Sequence, residues 1–178
     1  MTPKAKAIPI KLGVWGGSGS CVSNARCLHP STLILTPDGN KSVSLLKVND
    51  QIWGRSKNGI KVKEKVLSIS KSRTSSTHYL IHLLLSDMRE VMVSPLHPLS
   101  DYINQFRHLK KNEIFDGARV VSVKHYYYPN QFTYDILPSG DTGNYWANGI
   151  LMGSTLSNLV PERPLQTVER LVSIVEFI

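Results

Sequence analysis

Turn-forming residues break this chain at short intervals, and each break separates two short apolar runs. Leu33-Ile34-Leu35-Thr36 is closed by Pro37-Asp38-Gly39, and Val43, Leu45 and Leu46 follow. Gln51-Ile52-Trp53-Gly54 and Ile60 to Val66 bracket Asn58-Gly59, a dipeptide suited to the tight turn of a β-hairpin. Tyr79 to Leu85 and Glu90 to Val93 flank Ser86-Asp87, and Val120 to Tyr128 and Phe132 to Leu137 flank Pro129-Asn130. Asn148-Gly149 supplies one more turn. Short strands with turns between them predict an all-β domain. The ends differ from this pattern. Gly16-Gly17-Ser18-Gly19-Ser20 reads as a flexible lead-in. After Pro161 and Pro164, the residues Val168, Leu171, Val172 and Val175 recur at helical spacing, so Thr167 to Phe177 reads as a short helix or strand in a flanking segment.

The composition narrows the function classes. With 178 residues, 41% of them apolar and 19% charged, the chain can bury one core. The formal charge is +8, but lysines and arginines are scattered. The densest stretch, Lys57 to Lys65, alternates with apolar residues and reads as a strand with a solvated face, which disfavours specific nucleic-acid binding. No run reaches the roughly 18 apolar residues of a membrane span. Met1 to Gly13 lacks the apolar stretch of a signal peptide. Two cysteines make no disulfide framework, and the five residues between Cys21 and Cys27 are not a zinc spacing. Those two could close a small disulfide loop that stores the thiol. His78 and His82, four apart in a β-like run, would stand on one face but too far apart to share a metal.

A thiol just after a peptide bond can attack the carbonyl of the preceding residue. For Cys27 that residue is Arg26, and the product would be a thioester with the amide nitrogen as leaving group. The bland alternative is a buried structural cysteine. Cys27 is followed by Leu28 to Gly39 and then Val48-Asn49-Asp50-Gln51-Ile52, whereas Cys21 sits in the Gly/Ser lead-in without strands after it. Further on come Val91-Met92-Val93-Ser94-Pro95-Leu96-His97, then Thr133-Tyr134-Asp135-Ile136, then Asn144 to Leu151.

These four segments, in this order, resemble the ordered parts of a Hint domain, the module shared by inteins, bacterial intein-like domains and the hedgehog autoprocessing domain. The resemblance implies an all-β Hint horseshoe with pseudo-twofold symmetry and short helical or extended flanks. It divides the chain into a flexible N-terminal flank over 1–26, a Hint domain over 27–154 and a C-terminal flank over 155–178. It implies Cys27 as nucleophile and His97 as the acid that protonates the departing amine, with Ser94 in place of the usual threonine as helper. It also implies Asp135 as the carboxylate that tunes the thiol. His29, two residues from Cys27, is a possible additional helper.

The sequence departs from the splicing pattern at its end. Where an intein places His-Asn, this chain has Gly153-Ser154, and Gly143 replaces a frequent histidine. Serine has no carboxamide to cyclise onto its own carbonyl. The expected function is therefore self-cleavage of the Arg26–Cys27 bond, with the chain's own flank as substrate, water or a thiol as second nucleophile, and no cofactor or metal. A Hint fold without chemistry, serving as an interaction module, is one alternative. A basic surface for an anionic partner is another.

Overall fold

Asn58-Gly59 joins two strands that pair antiparallel from Gln51↔Lys65 to Arg55↔Lys61, the hairpin its turn chemistry calls for. In the computed structural model, which describes residues 26–158, this hairpin is one part of an almost wholly β chain. Its strands are β1 (Leu33–Thr36), β2 (Gly39–Ser42), β3 (Gln51–Arg55), β4 (Lys61–Arg73), β5 (Tyr79–Leu85), β6 (Glu90–Val93), β7 (Ile114–Phe115), β8 (Ala118–Tyr127), β9 (Phe132–Pro138), β10 (Asn144–Ala147) and β11 (Ile150–Gly153). Single 3₁₀ turns lie at Val43–Leu45 and Phe106–His108. The all-β expectation holds. Cys21, the Gly/Ser lead-in and the segment Thr167 to Phe177 lie outside the described residues.

Two sheets form. One runs β2-β1-β10-β3-β4-β9, with β11 paired to β10, and the other runs β6-β5-β8-β7. The 13-residue β4 serves two partners: its start pairs β3 and its remainder pairs β9. A register shift between Val66 and Ser68 lies at the start of the β9 pairing. Such a bulge bends and twists a strand, which lets one strand run around the curve of the sheet.

The sequence reading paired the strands either side of Pro129-Asn130 as a hairpin, and the structure corrects this. β8 pairs with β5 and β7, whereas β9 pairs with β4. The turn is held instead by the β4–β5 connection: Thr74 N donates to Gln131 O at 2.8 Å and Tyr128 N to His78 O at 2.8 Å. Two connections thus cross from sheet to sheet side by side. A turn dipeptide fixes a reversal but not the partner of each strand.

The core fills with alternate residues of these strands, among them Ile34, Ile52, Val66, Leu83, Ile136 and Tyr145. Lys61, Lys63 and Lys65 line the exposed face of β4, as their alternation predicts, while Glu64 between them is only 6% exposed. Its carboxyl occupies a niche that two glycines leave open. A Cβ on Gly54 or Gly140 would lie 2.2 or 2.1 Å from a Glu64 carboxyl atom. Gly140 N donates to Glu64 Oε2 at 2.8 Å, and Oε1 has no partner. Burial raises the Glu64 pKa.

Candidate functional site

The segment after Arg26 threads between the two sheets. Leu28 bridges to Val93 on one side and Tyr134 on the other. Leu28 N donates to Tyr134 O at 2.7 Å, Tyr134 N to Leu28 O at 3.0 Å, and Ser94 N to Cys27 O at 2.9 Å. Leu28 itself is fully buried, so its side chain anchors the register. This threading brings Cys27, Ser94 and Asp135 together although 108 positions (135 − 27) separate the first and last. Cys27 is buried, at 5% exposure.

His97 reaches the same point from the turn that ends β6. His97 N donates to Ser94 O at 3.0 Å, with Pro95 at the second position, where its fixed φ favours the turn. Phe106 N donates to His97 O at 3.1 Å and Arg107 N to Pro95 O at 2.9 Å, so the 3₁₀ turn at Phe106–His108 holds the loop in place. The His97 ring lies 6.0 Å from that of Phe106. Its Nδ1 bonds the Arg26 carbonyl oxygen at 2.6 Å. A carbonyl oxygen only accepts, which assigns the proton to Nδ1.

Complete burial lowers the His97 pKa, against the opposing pull of Asp135 and the backbone of Arg26 and Gly153. The ring is therefore neutral near pH 7, and its buried Nε2 has no hydrogen-bond partner among the described residues. The sequence reading made His97 the acid for the departing amine. The bond it makes here is instead to the Arg26 carbonyl oxygen, and a donor on that oxygen polarises the carbonyl.

Ser94 is fully buried, and its Oγ lies 3.2 Å from His78 Nε2. His78 and His82 take separate partners, since His82 Nε2 lies 2.8 Å from Glu90 Oε2. Burial lowers the His78 pKa. His29 Nδ1 is engaged by its neighbour Ser31, at 2.7 Å from Oγ.

Asp135 is fully buried with both carboxylate oxygens satisfied. Oδ1 accepts from Tyr145 Oη at 2.6 Å and from Ile136 N at 2.8 Å. Oδ2 accepts from Thr155 N at 2.6 Å and from the Thr155 hydroxyl. Burial, then the Asp135 charge, raise the Tyr145 pKa well above its ordinary value, and Cys27 adds to the effect. Carboxylate and phenol are thus in direct contact, with the Cys27 thiol in electrostatic reach of the phenol.

Gly153 closes the fully buried β11, and Ser154 N donates both to Gly143 O at 3.0 Å and to Tyr102 Oη at 3.0 Å. His78, Tyr102, Tyr145 and Thr155 belong to this environment, yet no motif marks them. The aromatic Tyr145 before Trp146 was legible only as a strand residue.

No family model matches the sequence, and no curated protein matches it. Solved structures do. The gp41-1 intein is 22% identical with a TM-score of 0.57, covering 73% of this chain and 99% of that one. The bacterial intein-like domain from Clostridium thermocellum is 17% identical with a TM-score of 0.63, covering 73% of this chain and 99% of that one. A DnaB intein from Synechocystis sp. PCC 6803 is 15% identical with a TM-score of 0.62, covering 74% of this chain and 100% of that one. The chain shares the fold of these proteins, the Hint fold.

Proposed function

We propose that this chain is an autoprocessing domain that cleaves its own backbone between Arg26 and Cys27, with the Hint unit over 27–154 acting on its N-terminal flank. The single observation that carries this reading is the His97 Nδ1 hydrogen bond to the Arg26 carbonyl oxygen, one residue before a buried cysteine. The Cys27 sulfur attacks the Arg26 carbonyl carbon, and His97 stabilises the charge that builds on the oxygen. The thiol proton ends on the Cys27 nitrogen, the C–N bond breaks, and a C–S bond replaces it. The products of this N-to-S acyl shift are a thioester and a free α-amine on Cys27.

Asp135 serves as the carboxylate that relays the proton, consistent with the Leu28–Tyr134 bridge that sets the Cys27 and Asp135 segments side by side. Ser94 holds the Cys27 carbonyl through its backbone nitrogen and takes its own orientation from His78. Water or an added thiol then resolves the thioester. Thr155 is a third acceptor: its hydroxyl already donates to Asp135. Its oxygen would take the acyl carbon, and its proton would pass through Asp135 to the departing Cys27 sulfur.

Intact mass of the purified chain, with and without dithiothreitol, tests the reading. Thiol should release a fragment ending at Arg26, and Cys27→Ala should abolish the release. A folded chain that stays whole for days at pH 7–8 in thiol would exclude it. The Gly153-Ser154 ending favours a second reading, a Hint fold that serves as an interaction module, and that same unreactive result would select it.

A further inference from the structure

Gly153 has no side chain, and the ring of Tyr102 fills the space one would take. A Cβ on Gly153 would lie 2.7 Å from Tyr102 Cζ and 2.8 Å from Cε1. A Cβ on Gly143 would lie 2.6 Å from the Tyr102 hydroxyl. Gly143, just before β10, and Gly153, at the end of β11, therefore frame one aromatic side chain. The Tyr102 backbone has φ +58, a left-handed conformation that a bulky residue rarely adopts and that persists only where its surroundings hold it.

The hydroxyl of Tyr102 accepts the Ser154 N–H at 3.0 Å and is hydrogen-bonded by the Ser157 side chain. Burial helps push its pKa up to about 12, so it stays a neutral phenol. One residue on, Thr155 N and Oγ1 both donate to Asp135 Oδ2. The chain over 153–155 is thus pinned between Tyr102 and Asp135.

We infer that Tyr102 is a positioning residue for acyl transfer, holding the Gly153–Thr155 peptide so that the Thr155 hydroxyl stays on Asp135 beside the Cys27 thioester. This rests on the acyl shift proposed above. In the step it serves, Thr155 Oγ1 bonds to the Arg26 carbonyl carbon, the C–S bond breaks, and the hydroxyl proton passes through Asp135 to the Cys27 sulfur. The product is an ester of Arg26 on Thr155, a branched chain that resists dithiothreitol and yields to hydroxylamine.

The test uses the full chain. Wild type is expected to accumulate the branched species, and Tyr102→Ala to lower its ratio to the thiol-released fragment roughly tenfold or more, because a small misplacement of the acceptor is costly. Tyr102→Phe keeps the ring and should fall between the two. An unchanged ratio in Tyr102→Ala overturns the inference. Absence of release by thiol and by hydroxylamine in every chain overturns the acyl shift instead, and the transfer role with it.

A stability cycle separates the positioning claim from the chemistry. Gly153→His should lower the melting temperature by roughly 5 °C or more beside Tyr102. It should cost far less in a Tyr102→Gly background, where the space is open and the φ is suited to glycine. Equal losses in the two backgrounds overturn the positioning itself.

Discussion

His97 Nδ1 and the carbonyl oxygen of Arg26 lie 2.6 Å apart across 71 positions of sequence. The ring that makes this bond is fully buried, and burial keeps it neutral. A neutral donor fixed on a carbonyl oxygen needs no reorganisation as charge develops there. His97→Ala should therefore slow thiol-dependent release of the fragment ending at Arg26 by roughly 10²–10⁴-fold. Single-turnover kinetics in dithiothreitol measure it. Cleavage at the wild-type rate would remove His97 from the reaction.

Ser94 and His78 are expected to act as one unit, since the Ser94 hydroxyl meets His78 Nε2 at 3.2 Å in a buried setting. Ser94→Ala should cost about 1 kcal/mol of stability, the worth of a neutral hydrogen bond. His78→Ala should cost a similar amount or more. The double variant should lose less than the sum, with a coupling of about 0.5 kcal/mol or more in a denaturation cycle. Additive losses would mean that the contact carries no energy.

The fold was legible because its signals are local. Each of the pairs around Asn58-Gly59 and Ser86-Asp87 needs only a turn and two alternating runs, and both form hairpins. Pro129-Asn130 misled because β8 and β9 find their partners across the two sheets, a long-range choice that a turn does not encode. In the site, Cys27, Ser94, His97 and Asp135 were legible as ordered motifs, and the threading of Leu28 between Val93 and Tyr134 draws their segments together. His78 was not. Its pairing with Ser94 depends on the β4–β5 crossover, and its spacing from His82 spoke only against a shared metal. Tyr102 lies in a turn with no motif, and its partner is a glycine, a residue whose meaning is the space it leaves.

Asp135 collects four donors in a fully buried position. Asp135→Ala strands the Tyr145 hydroxyl and two Thr155 donors and should cost about 3 kcal/mol or more by urea denaturation. Tyr145→Phe removes one of the donors and should cost about 1 kcal/mol. A smaller loss for Asp135→Ala than for Tyr145→Phe would contradict this accounting.

Glu64 should make stability depend on pH in a particular direction. Burial raises its folded pKa above the unfolded value, so the folded chain holds the proton more tightly. The stability that proton lends is present below the unfolded pKa of about 4.5 and is lost as pH rises through the folded pKa. Above the folded pKa the niche holds a buried carboxylate, one of whose oxygens has no partner among the described residues. Glu64→Gln should raise the melting temperature at pH 7–8, and the gain should shrink towards zero as pH falls to about 4. A gain that is equal at both ends, or larger in acid, would rule out the titration of Glu64 as its source.

The C-terminal end should stay joined. Ser154 has no carboxamide to close on its own carbonyl, and Gly153 beside it offers no donor in the place a splicing intein gives to histidine. The Tyr102 hydroxyl bonds the Ser154 nitrogen, not the Ser154 carbonyl oxygen that such a cyclisation would need polarised. Asn148-Gly149 is the Asn-Gly bond nearest that end, but its Asn148 side chain is held at both ends. Oδ1 accepts from Leu33 N at 2.7 Å and Nδ2 donates to Glu90 O at 2.8 Å. Cleavage there requires the Asn148 side-chain nitrogen to attack its own backbone carbonyl, and deamidation requires the side-chain carbon to meet the Gly149 nitrogen; either movement would break these bonds. Long incubation of the folded chain should therefore give no fragment beginning at Gly149, Ser154 or Thr155, and no ligated product. Mass spectrometry over several days reads this directly, and any of those three N-termini in the folded state would refute it. Denaturation releases Asn148 from Leu33 and Glu90, so slow cleavage or deamidation at Asn148-Gly149 should appear only in the unfolded chain.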